Sequence, residues 1–400
     1  MKVLINAYAI SPNKGSEPGM GWNWIVELSK IHNLYIITES EFKTEIESKI
    51  VSLQQKDNLN FYFIDIGLKA RKMCWNQGDW RFYFHYHAWQ KRALQMAKQI
   101  IQLNQIDVIH QLNMVGYREP GLLWKINGIP KIWGPVGGFG GVKLSSLNST
   151  IERHIFKQLI KNVLNKFQIK LPYIQKAINN YDAIVACNSL ASKELSKYKK
   201  KRIPVIHEVG TRTIHNQIKS YKQNQTLNLI WIGRNIPTKG LNIAIKVMKK
   251  LKDYNIRLKV IGVSENTISE HSENIEYHSW VEHKKVKEYI LESHLLFFTS
   301  VFEATGTVVL EALSNGLPVI CHDTCGQGDI IDNTCGIKIP LNNFTKSVKD
   351  FEDVLLNVYQ NPQLINALSI GALNKASELT WSNNSKKMKY LYEEIISNQS

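Results

Sequence analysis

Twice along this chain an apolar run ends in a glycine-bearing turn and gives way to a stretch of helical period. Strand, turn and helix in repeated succession are the rhythm of a parallel, doubly wound α/β sheet. The first set opens with KVLINAYAI (2–10), turns through SPNKGSEPGMGW (11–22) and enters a helix predicted at about Trp22–Ile31. Further strands are predicted at LYIIT (34–38), FYFIDI (61–66), DVIHQL (107–112), KIWGPV (131–136) and AIVACN (183–188), alternating with helix-like stretches, the longest at about 80–103. The second set begins with LNLIWIG (227–233). It continues through RLKVIG (257–262), IEYHSW (275–280), LLFFTS (295–300), LPVICHD (317–323) and CGIKIP (335–340).

Two such sets in 400 residues predict two Rossmann-like domains. We place them at 1–205 and 206–380, with a Lys-rich helix after Trp381 rejoining the first domain. The stretch 203–226, polar and poorly periodic, joins the two. Ligands of such sheets bind where strands end in turns that open helices, and two sheets facing each other make a cleft.

The first candidate motif is GRNIPTKG (233–240), between a strand and a helix. Arg234 and Lys239 are five residues apart across a turn, and Gly240 permits a tight helix entry. Two cations at the carboxyl end of a parallel strand suit a diphosphate. From the pair alone, two solvated loop cations are an equally good reading. The second motif is FEATGTVVLEAL (302–313). Gly306 and Thr307 are predicted to begin a helix that stops at Asn315-Gly316. Its free N–H groups suit phosphate oxygens. Glu303 lies before this helix and Glu311 within it, and a carboxylate accepts two hydroxyl hydrogen bonds at once. One acid suits a hexose, the other a ribose.

Glu303-x7-Glu311 enclosing Gly306-Thr307, with GRNIPTKG, NGLPVICHD and CGIKIP in order around it, resembles the retaining glycosyltransferases of family 4. The likeness is close over about Leu227–Pro340 and architectural over the rest. It implies the GT-B fold, with the active site between two Rossmann-like domains. It implies a nucleotide-diphosphate sugar as donor, a glycan or polyprenyl-diphosphate-linked saccharide as acceptor, and no catalytic metal or other cofactor. By the same likeness Gly233, Arg234 and Lys239 hold the diphosphate. Gly306, Thr307 and Val308 offer backbone donors, Glu303 contacts the transferred sugar, and Glu311 contacts the ribose. The loop GSEPG, with Gly15, resembles the glycine-rich loop after the first strand of these enzymes, and its spacing is not the dinucleotide fingerprint. His110, predicted to close the strand DVIHQL, resembles a histidine that faces the sugar in the family. The implied catalytic set is Arg234, Lys239, Glu303 and His110. The expected chemistry is front-face substitution, the leaving diphosphate taking the acceptor proton, in surface polysaccharide or lipopolysaccharide synthesis. A nucleotide-sugar epimerase on the same fold is the alternative.

Charge adds a second expectation. The formal net charge is +16, and residues 151–202 hold twelve Lys or Arg against three Asp or Glu. Such an excess implies an anionic partner. No nucleic-acid-binding module is recognisable, so nucleic acid ranks below a membrane surface. IERHIFKQLIKNVLNKFQIK (151–170) places Ile151, Ile155, Phe156, Leu159, Val163 and Phe167 at helical spacing, with Arg153, Lys157, Lys161 and Lys166 mostly elsewhere. Such a helix either lies on an anionic membrane or packs on the sheet with a solvated Lys face. The pattern alone slightly favours packing; the local charge excess, with the resemblance to enzymes many of which extend glycans on lipid carriers, leads us to expect the membrane. The cation- and aromatic-rich stretch 69–92 reads equally as an interfacial belt, an acceptor wall or a buried helix. No apolar run approaches the roughly 20 residues that span a bilayer. The opening KVLINAYAI reads as a strand, not a signal peptide. Five scattered cysteines fit no usual zinc pattern, so Cys321, His322 and Cys325 are expected to be structural. The expected location is cytoplasmic, peripheral on the inner face of the membrane.

Overall fold

The computed structural model describes residues 1–76, 79–147, 152–215 and 217–398. Its contacts divide the chain into two compact units. The first is Met1–Phe139, Lys166–Val209 and Trp381–Ser400; the second is Gly140–Asn165 and Gly210–Thr380.

The first unit holds β1 (Lys2–Ala7), α1 (Ser16–Ser29), β2 (Asn33–Glu39), α2 (Lys43–Ile50), β3 (Leu59–Ile64), α3 (Leu68–Trp75), α4 (Phe82–Leu103), β4 (Val108–Asn113) and β5 (Lys131–Val136). The chain then runs through α5 (Glu152–Gln168), α6 (Pro172–Asn180), β6 (Ala183–Ala186) and α7 (Ser189–Lys199). Six parallel strands pair in the order β3-β2-β1-β4-β5-β6. The central strands are buried almost throughout, because a parallel sheet is covered on both faces. That is why they read as apolar runs. Helix α1 begins six residues earlier than predicted. Gly15 is its N-cap, and Pro18 is tolerated in the first turn, where its missing N–H has no helical acceptor. GSEPG is therefore a helix start and not a free loop.

The second unit holds β7 (Leu227–Ile232), α8 (Leu241–Lys250), β8 (Ile256–Ile261), β9 (Ile275–His278), α9 (His283–Glu292), β10 (Leu295–Phe298), α10 (Thr307–Ser314), β11 (Val319–Asp323), α11 (Cys325–Ile330), β12 (Gly336–Pro340), α12 (Phe344–Gln360) and α13 (Gln363–Glu378). Its sheet order is β12-β11-β10-β7-β8-β9, again all parallel. Each sheet thus reverses its strand order once, between β1 and β4 and between β7 and β10.

Helix α14 (Trp381–Ser397) belongs to the first unit. Trp381 meets Trp24 of α1 edge to face at 6.0 Å, and Met388 and Tyr392 are fully buried. The segment 140–165, placed by sequence with the first half, groups with the second unit. Val142 and Leu147 are buried in that unit's core, and Lys143 Nζ donates to Leu341 O at 2.9 Å.

Helix α5 is turned inside out. Its polar side faces the protein: Asn162 donates to Val142 O at 2.9 Å and accepts from Val142 N at 3.2 Å, while Gln158 donates to Asn162 Oδ1 at 2.9 Å. Its apolar stripe faces outward, with Phe156 62% and Phe167 66% exposed and Leu159, Ile160, Val163 and Leu164 between them also exposed. Ile151 and the Arg153 side chain lie outside the described residues. The periodicity located the stripe; it carried no information about which side the protein would cover.

Helix α10 ends as its sequence predicts, with Asn315 at the C-cap and Gly316 at φ +63°. A Cβ on Gly316 would stand 2.2 Å from Gln217 O. Both the left-handed backbone and the contact demand glycine. Gly316→Ala is expected to destabilise the protein by at least about 1–2 kcal/mol, read as a lowered urea midpoint.

Candidate functional site

The site is built at the strand-order reversal of the second sheet, where the loops leaving β7 and β10 lie side by side. Gly233 follows β7, its N–H bonded to Ile261 O at 3.0 Å. The chain turns through a short 3-10 segment, Pro237–Lys239, and Gly240 enters α8 at φ +66°. A Cβ on Gly240 would stand 2.3 Å from Thr299 O, so only glycine lets the two loops touch.

Hydrogen bonds lock that contact. The Trp231 indole donates to Thr299 Oγ1 at 3.0 Å, and Thr299 Oγ1 donates to Gly240 O at 2.9 Å. Val301 N donates to Thr238 O at 2.9 Å. These groups are buried or nearly so, where unmade bonds are costly. The locked loops bring Lys239 against Glu303. Lys239 Nζ forms an ion pair with Glu303 Oε1, the side chains only 19% and 14% exposed. Lys239 also lies over the Phe298 ring at 5.8 Å. Arg234, on the same loop, is exposed.

Gly306 is the N-cap of α10 at φ +87°, and Thr307 is exposed at the helix start. Val309 N is spent on Gly306 O at 2.9 Å. Among the described residues no acceptor reaches the N–H groups of Thr307 and Val308. A helix start with free N–H groups beside a lysine is an anion-binding arrangement. Glu311, four residues after Thr307, presents its carboxylate on the same helix side. It is partnered by a residue that sequence reasoning missed: His283 Nε2, at the start of α9, lies 3.5 Å from Glu311 Oε1. The hydrogen bond to Glu311 raises the His283 pKa. Only the fold shows this neighbour, since the two residues are 28 apart in sequence.

Gly233, Arg234, Lys239, Glu303, Gly306, Thr307, Val308 and Glu311 therefore all lie on three adjacent elements of one unit. Gly15 and His110 belong to the first unit. Gly15 is the exposed N-cap of α1.

His110 is a correction. It sits in the middle of β4 and not at its end, and it is fully buried. Nε2 donates to Gly134 O at 2.6 Å, and Nδ1 accepts from the Tyr392 hydroxyl at 2.6 Å. Both ring nitrogens are occupied, so the ring has none left for a sugar. Burial pushes its pKa down to about 4. The ring is a neutral clamp between β4, β5 and α14.

Cys321 and His322 are also internal: His322 contacts Ser300 O at 3.3 Å and Ser347 Oγ at 3.1 Å. Cys325 starts α11 beside Glu303, its thiol pushed up by burial. Among the described residues no group of three or more His, Cys, Asp or Glu is placed to hold a metal ion.

Residues 213–368, which contain this whole site, match the family described as glycosyl transferases group 1. They form a glycosyl transferases group 1 domain. Among curated relatives, an uncharacterized 41.2 kDa protein in the cps region of Klebsiella pneumoniae is 28% identical over 130 residues, 32% of this chain and 36% of its own length. The lipopolysaccharide glucosyltransferase WaaG of Escherichia coli is 29% identical over 139 residues, 32% of this chain and 37% of its own length. The match thus spans little more than a third of each curated relative. The fold likeness is wider: sucrose-phosphate synthase from Thermosynechococcus elongatus superposes with a TM-score of 0.66 over 99% of both chains at 11% identity.

The role of His110 as a clamp has a direct check. Tyr392→Phe leaves Nδ1 buried without a donor and is expected to cost about 1–3 kcal/mol of stability, measured by urea unfolding at pH 7.5.

Proposed function

We propose that this protein is a retaining glycosyltransferase of the family 4 type. It moves a hexose-type sugar from a nucleotide-diphosphate donor to a glycan or lipid-linked saccharide. The observation that carries this reading is the meeting of Lys239 with Glu303 beside the open start of α10. A cation, a carboxylate and free N–H groups converge there within a group 1 domain.

In this reading Arg234, Lys239 and the N–H groups of Thr307 and Val308 hold the diphosphate. Glu303 takes hydroxyls of the transferred sugar, and Glu311 takes the ribose. The bond from the anomeric carbon to the diphosphate breaks as the acceptor oxygen bonds to the same face. The acceptor proton passes to the departing phosphate oxygen. Preorganised positive charge at that oxygen lowers the barrier, which is the usual source of the largest catalytic effects. The diphosphate's charge is met by protein groups, so the reading requires no metal. The names of the relatives, a lipopolysaccharide glucosyltransferase and a protein of a cps region, favour surface polysaccharide or lipopolysaccharide as the product class.

Arg234→Ala and Lys239→Ala are each expected to lower turnover by roughly two or more orders of magnitude in an assay of sugar transfer. Near-normal turnover in both overturns the assignment.

We also propose peripheral attachment to an anionic membrane through α5. The outward apolar stripe supports it, with exposed Lys157, Lys161 and Lys166 elsewhere on the same helix. Flotation with anionic vesicles is expected to carry the protein at low salt, and Phe156→Glu with Phe167→Glu to abolish this. Absence of wild-type flotation overturns the membrane contact.

A further inference from the structure

The aromatic and cationic stretch 69–92, which sequence alone leaves open between a belt, a wall and a buried helix, is divided by the fold. One side of α4 is internal: Phe82, Tyr86, Trp89, Ala93 and Ala97 are buried. Tyr8, the first residue past β1, meets Phe82 at 5.8 Å and Tyr86 at 5.2 Å, both edge to face. These contacts put the start of α4 at the carboxyl edge of the first sheet. The end of α3 lies at the same edge. There Trp75 meets Phe42 at 6.2 Å and its indole donates to Glu41 at 3.0 Å, both partners following β2.

The other side of this corner is apolar and open. Trp75 is 48%, Trp80 66%, Tyr83 43% and Phe84 68% exposed, and Trp80 packs edge to face on Phe84 at 5.7 Å. Four open rings this close in the chain are unlike the singly scattered apolar groups of an ordinary surface. The charge around them is one-sided. Between Ile66 and Ile106 seven Lys or Arg stand against a single acid, Asp79. That acid is spent on Arg81, at 2.8 and 2.7 Å. Arg71 is likewise spent on Glu39 and Asp65. Lys69, Lys72, Lys91, Arg92 and Lys98 are exposed, and among the described residues none of the five has an acidic partner.

Open rings backed by cations have the chemistry of a membrane interface. Trp and Tyr rings settle at the headgroup level, and Lys and Arg are drawn to anionic lipid. Lys91 follows Phe84 by seven residues, about 10 Å along a helix. That matches the roughly 5–10 Å to which interfacial apolar groups enter. A neutral saccharide stacks on a ring beside hydroxyl-binding side chains and has no use for a run of cations. We propose that the α3–α4 corner docks the first unit on the surface of an anionic phospholipid bilayer. Trp75, Trp80, Tyr83 and Phe84 enter the headgroup boundary, and Lys69, Lys72, Lys91 and Arg92 meet the lipid phosphates. The carboxyl edge of the first sheet is then held at the lipid headgroups. The inference rests on the membrane attachment proposed above and adds a surface separate from α5.

Helix α5 contains no tryptophan, so tryptophan emission separates the two surfaces. The probes are vesicles of phosphatidylglycerol and phosphatidylcholine, the latter brominated on its chains near the headgroup, mixed with the full chain at low salt. Bromine quenches the indoles that reach it. The wild type is expected to bind and to lose emission. Trp75→Phe with Trp80→Phe, which keeps rings at both positions, is expected to float like the wild type and to lose at least about half of that quenching. Trp80→Glu with Phe84→Glu is expected to weaken vesicle binding at least about tenfold. Unchanged quenching in the Phe variant, or unchanged binding in the Glu variant, overturns the corner and leaves α5. Flotation that survives Phe156→Glu with Phe167→Glu overturns the α5 contact and leaves the corner. No wild-type binding overturns both. Dimerisation without vesicles that is lost in Trp80→Glu with Phe84→Glu, in a protein that binds no vesicles, overturns the proposal in favour of a second copy on this corner.

Discussion

The candidate site depends on a contact in which two backbones touch. Gly240 rests against Thr299, and a Trp231–Thr299 hydrogen-bond chain holds them there. Lys239 precedes that glycine, and Glu303 lies four residues beyond that threonine. Their pairing is therefore a consequence of main-chain geometry, not of two long side chains finding each other across solvent. Side chains anchored this way lose less entropy on forming an ordered arrangement, because the stems are already fixed. The same contact explains why the motif needs its glycine next to the lysine: any larger residue would push the β7 loop away from the β10 loop.

All twelve strands among the described residues were legible in the sequence, because a parallel sheet buries both faces and its strands read as unbroken apolar runs. Their boundaries moved by one to three residues at most ends. The group of residues around Lys239 and Glu303 was legible too, since it sits on motifs local in sequence. What escaped was everything set by tertiary choice. The start of α1 was hidden by glycines and a proline that look like a loop. The side of α5 that meets the protein was invisible to periodicity, because its inward contacts are made by asparagine and glutamine amides. The segment 140–165 groups with the second unit, where it buries Val142 and Leu147, two apolar residues too few to register as a pattern. His110 looked like a strand-end ligand group until Tyr392, 282 residues away, was found on its ring. His283 was missed for the same reason of distance.

The two units solve one problem twice. Each runs six parallel strands in the same order, and each leaves a carboxylate-bearing segment at the place where that order reverses. In the second unit the acid is neutralised by a lysine. In the first, Glu17 accepts from Val115 N and ties α1 to the segment after β4. One backbone plan thus carries two different pairings through short sequence differences after the strands.

The Lys239–Glu303 pair also sets the terms of exchange at its site. In the unliganded protein the two charges cancel at close range, so neither stands as an isolated ion at the sheet edge. In the reading proposed above, an anion arriving there competes with Glu303 for the ammonium, and its net affinity is reduced by the strength of the pair it disrupts. When that anion leaves, the ammonium has a waiting partner in Glu303. The pair is then an internal counter-ligand that favours release. Turnover at such a site is set as much by how readily the old occupant departs as by how tightly the new one is held.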